Sequence, residues 1–302
     1  MKTTLAYALV ALLCGAGCSD GGRPADPTGA RARFDVSPSA GFFDAPFPIP
    51  TRALPGGGVR VDDFPNPRDN LILGRVLTAL ARPPVGFGTT SAIYLPFDGP
   101  IDEQGLPDAA GSLADGAAVY LLDIDPDSPT RGERVAIDVR FKAAAETYSP
   151  ENLLVILPHP GMALRASTRY AAIATDALRD AQGRTLGRPE VLDALLDAGA
   201  DRAGLPAELV EAFDALVAAL DAEALDAVRA ATVFRTGDPF GETEKLRAWV
   251  AAQPLSMDDR LLVLRDHDDF CVVSGSIRVP LLQDGERPFK DAGGAIALDA
   301  AG

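Results

Sequence analysis

The chain has 302 residues, of which 47% are hydrophobic, and it carries a formal net charge of −15. This apolar content supports a packed core, so the composition predicts one large globular domain or two ordinary ones rather than a disordered chain. Phosphate-backbone binding requires clustered lysine and arginine, which the sequence lacks, so nucleic acid is not an expected partner.

The N-terminus has the three parts of a secretory signal. Lys2 supplies a positive charge, residues 5–13 form an apolar run, and the small residues 15–17 precede Cys18. The apolar run is too short to cross a bilayer as a helix, which needs about 20 residues. The pattern therefore predicts a signal peptide over residues 1–18 and an extracytoplasmic protein.

A cysteine directly after the small residues resembles the lipoprotein signal of bacteria. In that family the cysteine thiol is acylated and becomes the new N-terminus, which assigns lipidation to Cys18. Gly15 departs from the family, which prefers leucine three positions before the cysteine, and an ordinary signal peptide cut nearby is the alternative. Lipidation implies a cell-envelope protein attached to its membrane by acyl chains alone, because an acidic chain is not drawn to anionic headgroups.

The remaining cysteines predict no internal disulfide. The chain contains three cysteines, of which Cys14 leaves with the signal and Cys18 is acylated. Cys271 therefore has no partner. Because it lies in an apolar run, it is expected to be a small buried strand residue rather than a reactive nucleophile.

A tether and a proline-rich segment come next. Residues 19–33 are small, polar and rich in glycine and proline, and they predict a flexible tether. Residues 34–90 contain many prolines, which interrupt regular strands and helices. We expect an extended segment that lies on the domain, with a short helix over residues 70–80. Its aromatic anchors are Phe42, Phe43 and Phe47.

Short strands separated by glycine, proline and aspartate turns are predicted from residue 91 onward. They cover residues 92–97, 118–122, 134–141, 152–157 and 169–175, with a later strand at 231–235. Short strands at this regular spacing, separated by such turns, are typical of a β-sandwich. The predicted fold class is therefore mainly β with a helical insertion, and the sandwich occupies residues 91–186.

Over residues 187–254 the apolar residues recur at the spacing of an α-helix. The apolar residues that share one helical face are Leu209, Phe213, Leu216 and Leu220. Further helices are predicted at 189–198, 222–229 and 242–252. We expect these helices to form a small cap inserted into or packed on the sandwich, to which the strand at 231–235 returns.

Residues 255–302 return to a β pattern. The predicted strands in this C-terminal segment are 261–264, 270–273, 276–282 and 293–302. Polar turns separate them, and the segment is expected to be mainly β.

The stretch from Leu164 to Leu186 resembles bacterial Ig-like domains. It contains a leucine, a turn, Thr-Arg-Tyr at a strand start, and Asp-Ala-Gln-Gly before a final leucine. The resemblance implies an Ig-like β-sandwich, and Tyr170 is expected to be buried and hydrogen-bonded to backbone at a sandwich corner. Asp180 and Gly183 are expected to shape a tight turn.

A wider resemblance covers roughly residues 36–300. Residues 87–93, Phe97 and residues 100–102 are similar to the N-terminal region of secreted bacterial lipases and related surface lipoproteins. The segments similar to the lead-in of their α/β-hydrolase domain are 268–275, 279–280, 283–285, 288–289 and 293–294. The resemblance implies a non-catalytic Ig-like module ahead of an esterase or lipase domain that is missing from this chain.

The sequence contains no recognisable set of catalytic residues. An α/β-hydrolase places its serine on a Gly-x-Ser-x-Gly elbow between a strand and a helix. Residues 17–21 match this pattern, but they lie at the predicted signal cleavage site and follow no predicted strand, so no elbow is assigned. A second segment, residues 37–41, lacks the first glycine and contains a proline. His159 lies between two prolines and is expected to be a turn residue, and His267 is expected at a polar hairpin tip.

The best candidate metal ligands are three alternating aspartates, Asp123, Asp125 and Asp127. Alternating carboxylates are able to converge on Ca²⁺, which prefers six to eight oxygen ligands. Glu133 is one position away from the spacing of an EF-hand, and Pro126 stiffens the loop. The alternative is a solvated hairpin loop without metal, and no other cofactor is expected.

Two functions remain open from the sequence. The first is a membrane-anchored lipoprotein that carries the accessory Ig-like region of a lipase or esterase-type hydrolase. The second is a free-standing binding or structural surface lipoprotein with no enzymatic role. Both make the membrane a partner through the acyl anchor on Cys18, and neither names a ligand.

Overall fold

The computed structural model describes residues 29–82, 86–254, 261–276, 279–289 and 293–296. The chain forms two compact units, Met1–Thr236 and Gly237–Gly302. The predicted signal peptide, Cys18 and most of the predicted tether lie outside the described residues.

The first unit is built from strands and helices that follow the predicted order. Its strands are β1 (Ile93–Pro96), β2 (Val119–Asp123), β3 (Arg134–Val135), β4 (Ile137–Lys142), β5 (Leu153–Pro158), β6 (Arg169–Thr175) and β7 (Val228–Arg235). Its helices are α1 (Leu71–Leu80), α2 (Glu190–Leu196), α3 (Ala207–Val217) and α4 (Ala222–Ala227). Short 3₁₀ turns lie at Pro50–Arg52, Glu103–Gly105 and Gly111–Leu113.

Two antiparallel sheets form the sandwich. One has the strand order β1-β5-β4 and the other has the order β3-β2-β6-β7. Alternate residues of both sheets point into one shared core, which includes Ile93, Leu95, Val119, Leu121, Leu154, Ile156, Ala172 and Ala174. The predicted class, mainly β with a helical insertion, is confirmed.

The strand predicted over residues 134–141 is divided between the two sheets. Residues 134–135 pair with β2, whereas residues 137–142 pair with β5. Ala136 lies between them, and its carbonyl oxygen accepts a hydrogen bond from the backbone N–H of His159. The apolar alternation continues through this point, so the pattern alone did not reveal that the chain changes sheets.

The four-stranded sheet is buried on both faces. Its second face packs against α2 and α3, through a core that includes Tyr120, Leu122, Ile173, Leu192, Leu195, Leu209, Phe213, Leu216 and Val233. A strand buried on both faces carries apolar residues at successive positions, which explains the sequence Tyr-Ala-Ala-Ile-Ala of β6. The predicted packing of helices on the sandwich is correct for α2 and α3.

The proline-rich segment packs along β1, the edge strand of the three-stranded sheet. Phe42 is buried, and its ring contacts those of Phe43 and Phe47 at centroid distances of 4.9 and 4.8 Å. The backbone of Phe47 exchanges hydrogen bonds with that of Tyr94 in β1. The guanidinium of Arg52 pairs in bidentate fashion with Asp63, so this irregular segment is held by both ring packing and charge.

The second unit contains α5 (Gly241–Ala252), β8 (Leu262–Asp266), β9 (Cys271–Ser274), β10 (Gln283–Gly285) and β11 (Gly293–Ile296). Strands β8 and β9 form an antiparallel hairpin, and so do β10 and β11. The sequence grouped α5 with the helical insertion, but none of its residues is buried and it belongs to this unit. The strand expected at 276–282 is not found at its described residues, where Pro280 has no N–H to donate.

Candidate functional site

The aspartates that the sequence proposed as calcium ligands lie at the end of β2 and in the loop between β2 and β3. This loop closes a hairpin, since the backbone N–H of Asp123 donates to the carbonyl oxygen of Glu133 over 3.0 Å. Asp123 is buried, and its carboxylate accepts hydrogen bonds from the hydroxyls of Ser128 and Thr130 and from the backbone N–H of Asp125. The buried Asp123 carboxylate therefore holds the loop in its conformation by binding three of its donors.

Asp125 connects the same loop to two strands of the four-stranded sheet. It is buried, its Oδ1 accepts from the backbone N–H of Asp127 at 3.1 Å, and its Oδ2 accepts from the backbone N–H of Arg169 at 2.9 Å. A guanidinium nitrogen of Arg235 lies 3.0 Å from the same Oδ2. Arg169 begins β6 and Arg235 ends β7, so one carboxylate joins three elements.

These contacts bear directly on the calcium hypothesis. The carboxylates of Asp123 and Asp125 already accept hydrogen bonds from protein donors, whereas Asp127 and Glu133 are exposed. Within the ranges that the structure describes, no group of three or more His, Cys, Asp or Glu side chains is arranged to hold a metal ion. The loop is the predicted hairpin, but its central carboxylates are buried and hydrogen-bonded rather than solvated.

A cavity of about 260 Å³ lies beside this loop. Its lining combines Asp123 and Glu133 with Arg134 and Arg165, so the opposite charges balance. Arg165 is also engaged, because its Nε donates to Thr130 Oγ1 at 3.1 Å. Sites for small organic ligands usually enclose about 300–1,000 Å³, so this cavity is small for such a ligand and we assign none to it.

Tyr170 is the second residue of β6, where the Ig-like resemblance implied a buried, hydrogen-bonded tyrosine. It is 2% exposed, its ring centroid lies 6.3 Å from that of Phe234, and its hydroxyl oxygen accepts a hydrogen bond from the backbone N–H of Arg165 at 3.1 Å. Burial raises the pKa of the Tyr170 hydroxyl, and the hydrogen bond from Arg165 acts in the opposite direction. The predicted burial and hydrogen bonding of this side chain are confirmed.

Asp180 and Gly183 form the predicted tight turn. Gly183 has φ +77°, a conformation that favours glycine, and its N–H donates to the carbonyl oxygen of Asp180 at 2.9 Å. The buried Asp180 carboxylate accepts from the backbone N–H groups of Gln182 and Arg184 and from the Arg184 side chain. Burial alone would raise the pKa of Asp180, but these hydrogen bonds outweigh it and the pKa is lowered.

The two histidines lie in turns, and one of them has an acidic partner. His159 Nδ1 lies 2.9 Å from Asp138 Oδ1, in an ion-pair geometry that is partly exposed to solvent. Among the described residues, no hydroxyl or thiol forms a hydrogen bond with His159. The ring of His267 stacks on Phe270 at 4.5 Å in the β8–β9 turn. Sequence reasoning missed the Asp138–His159 pair, which the β4–β5 register brings together.

Cys271 is exposed on β9, which corrects the expectation that it is buried. It forms no disulfide and is the first residue of its strand. The apolar residues around it predicted burial, but no described element of the second unit covers this strand. The thiol is therefore accessible, and no described group beside it identifies a reaction.

The two strands β8 and β9 present apolar side chains to solvent on both of their faces. All their residues are exposed, and Leu262 and Phe270, which precedes β9, are 65% and 62% exposed. The large apolar residues of this apolar strand pair are Leu262, Val263, Leu264, Val272 and Val273. On α5 and the following chain, Leu246, Val250 and Leu282 line an open groove of about 500 Å³. Much apolar surface of the second unit is thus uncovered.

None of the helices among the described residues has the length and apolar character needed to span a membrane. No protein-family model and no curated protein matches the chain. Among solved structures, a match is found to the crystal structure of the S-layer protein rSbsC(31-844), with 13% identity and a TM-score of 0.20. The match covers 38% of this chain and 14% of that protein, and a similarity this low carries no argument about fold or function.

Proposed function

We propose that this chain is an extracytoplasmic lipoprotein, anchored by acyl chains on Cys18, in which a non-catalytic Ig-like module precedes a lipase or esterase-type hydrolase domain. The observation that supports the hydrolase part is the apolar strand pair of the second unit. All residues of β8 and β9 are exposed, although their sequence is that of buried strands. The first unit would then be the accessory module.

A two-stranded hairpin does not cover its own apolar faces. An isolated hairpin is marginally stable in water, and three or more strands or a covering helix are required to bury an apolar face. Exposed apolar strands are also sites of aggregation. The apolar strand pair therefore fits the first strands of a larger sheet, because strands inside such a sheet are apolar on both faces.

The same region carries the resemblance to the lead-in of the hydrolase domain. Residues 268–275 include the β8–β9 turn and all of β9, and residues 283–285 coincide with β10. The Gly-x-Ser-x-Gly match at residues 17–21 lies at the predicted signal cleavage site, and among the described residues no hydroxyl is paired with His159. Under this proposal, the nucleophile and its base belong to the hydrolase domain that follows the second unit.

The nucleotide sequence beyond the codon of Gly302 tests the hydrolase part of the proposal. An in-frame continuation that encodes Gly-x-Ser-x-Gly and a later histidine supports it. A stop codon directly after Gly302 contradicts it and selects the alternative, a free-standing binding or structural lipoprotein.

Fractionation of the Cys18→Ser variant tests the anchor. We expect the wild-type chain to partition into the detergent phase with an acyl group on residue 18, and the variant to remain unprocessed or soluble. The Cys271→Ser variant is the matched control, because its exposed thiol lies in the second unit and its loss leaves the anchor intact. Unchanged membrane partitioning of Cys18→Ser would refute lipidation.

A further inference from the structure

Helix α1 presents apolar side chains to solvent, although the first unit buries most of its apolar residues in the sandwich core and in the core beneath α2 and α3. Leu77 and Leu80 pack against the sandwich core. On the outer side, Leu71, Ile72 and Val76 are 68%, 76% and 48% exposed. Ile72, Val76 and Ala79 recur at the spacing of one helical face, so the exposed apolar residues form a continuous stripe.

The helix is held firmly at both ends. Asn70 caps its N-terminus, since its Oδ1 accepts from the backbone N–H groups of Ile72 and Leu73 at 3.0 and 3.2 Å. At the other end, the backbone N–H of Val59 donates to the carbonyl oxygen of Leu80 at 2.8 Å. The exposed stripe is therefore a fixed surface of the first unit rather than a frayed segment.

Arginines border this stripe, in contrast with the rest of the acidic chain. Residues 66–82 contain Arg68, Arg75 and Arg82 and one acidic residue, Asp69, although the whole chain has a net charge of −15. Arg75 lies on α1 and Arg82 lies two residues after its end, and both line an open groove of about 600 Å³ along the helix. Among the described residues, no carboxylate forms an ion pair with these three arginines.

We propose that α1 docks on the surface of an anionic lipid bilayer, with Ile72 and Val76 in the interfacial region and Arg75 and Arg82 against the headgroup phosphates. Helices that lie in a membrane interface combine an apolar stripe with flanking Lys or Arg side chains. Each basic side chain near an anionic surface adds to the attraction. Membrane attachment would then involve this helix as well as the acyl chains.

This inference rests on the proposed lipid anchor at Cys18. Only the ten residues 19–28 separate Cys18 from the first described residue, and fully extended they reach about 35 Å. The anchor therefore holds the unit close to the bilayer at a high effective concentration, so that a weak interfacial contact is sufficient. The negative charge elsewhere on the chain would turn the remaining surface away from the lipids, which orients the module.

The test uses the full acylated protein, with a fluorophore sensitive to polarity attached to Ala79→Cys in a Cys271→Ser background. The protein is reconstituted on vesicles of phosphatidylcholine alone and on vesicles that also contain phosphatidylglycerol. We expect blue-shifted emission and protection from a water-soluble quencher on the anionic vesicles, and weaker protection at high salt, which screens the arginines. Acylation is verified by mass spectrometry of the same sample.

Two sets of variants test the apolar and the electrostatic contributions to docking separately. Ile72→Ser with Val76→Ser should lower the ratio of docked to free helix by roughly 10- to 100-fold, since each aliphatic side chain that is partly withdrawn from water contributes about 3- to 10-fold. Leu113→Ser is its matched control, because Leu113 is 47% exposed elsewhere on the unit. Arg75→Glu with Arg82→Glu should abolish the preference for phosphatidylglycerol, whereas Arg140→Glu should leave it unchanged.

Each failure has a distinct meaning. An anchored protein whose fluorophore stays fully quenchable on both vesicles overturns the docking of α1 and leaves the lipoprotein proposal standing. Protection that appears without vesicles and rises with protein concentration also overturns it, since a second copy then covers the stripe. A chain without an acyl group overturns both proposals.

Discussion

Replacing Asp125 with alanine should destabilise the first unit more than any other change in the loop between β2 and β3 except at Asp123. The Asp125 carboxylate is buried and receives the backbone N–H of Arg169, the backbone N–H of Asp127 and a guanidinium nitrogen of Arg235. Alanine removes all three contacts at once and leaves the Arg169 N–H without its acceptor.

The expected loss of stability follows from how exposed each donor is. The partly buried backbone N–H of Arg169 donates to the charged Asp125 carboxylate, and such a hydrogen bond contributes about 1.5–3 kcal/mol. The Arg235 side chain is 54% exposed, so its ion pair is discounted for solvent to about 0.5 kcal/mol. Asp127 is exposed, and water replaces its contact. The sum is about 3 kcal/mol, or roughly 6–12 °C in the melting temperature of a unit of this size.

Thermal unfolding followed by circular dichroism measures this effect, with Asp127→Ala as the matched control. Asp127 lies two residues away, is exposed, and should change the melting temperature by less than about 2 °C. Adding millimolar Ca²⁺ should leave both variants and the wild type unchanged, because the buried carboxylates are occupied by protein donors. The reasoning is refuted if Asp125→Ala melts with the wild type, or if Ca²⁺ stabilises the wild type and not this variant.

Three further predictions concern the corner, the turn and activity. Tyr170→Phe keeps the buried ring but removes the acceptor of the Arg165 N–H, so the free energy of unfolding measured by denaturant titration should fall by about 1 kcal/mol. Tyr94→Phe should leave that free energy unchanged. Equal effects of the two substitutions would contradict the role of the Tyr170 hydroxyl. The lowered pKa of Asp180 means that its stabilising contribution is present above its unfolded pKa of about 3.9 and is lost as the pH falls through the lower folded value. Stability should therefore fall more steeply below pH 5 in the wild type than in Asp180→Asn, and parallel acid titrations would contradict this. The purified chain should show no turnover of short-chain aryl esters above buffer, and turnover that disappears in His159→Ala would reveal an unrecognised site.

Local sequence patterns were sufficient to place most elements of the sandwich. A continuous apolar run after a turn located β6 at residues 169–175, as observed, and the helical period identified Leu209, Phe213 and Leu216 as a buried face. Turn chemistry identified Asp180 and Gly183, because a carboxylate that accepts nearby N–H groups and a glycine at positive φ act within a few residues. These features depend on neighbours in sequence, which is why the sequence reveals them.

Features that depend on distant neighbours were not accessible in this way. The alternating aspartates suggested either a metal or a solvated loop, but Arg235, which pairs with Asp125, lies 110 residues away in sequence. Asp138 and His159 meet only because β4 pairs with β5 in one register. The change of sheet at Ala136 is likewise a consequence of which strand lies beside each half.

Local patterns in the sequence specify where strands and helices form and which of their faces are apolar. Whether an apolar strand is covered depends on the tertiary structure. In β6, Ile173 is enclosed by a sheet and a helical layer, whereas Val263 in β8 has the same kind of apolar neighbours and is 61% exposed. The physical reason is that strand formation is specified by local periodicity, while burial requires a second layer contributed by residues far away in the chain.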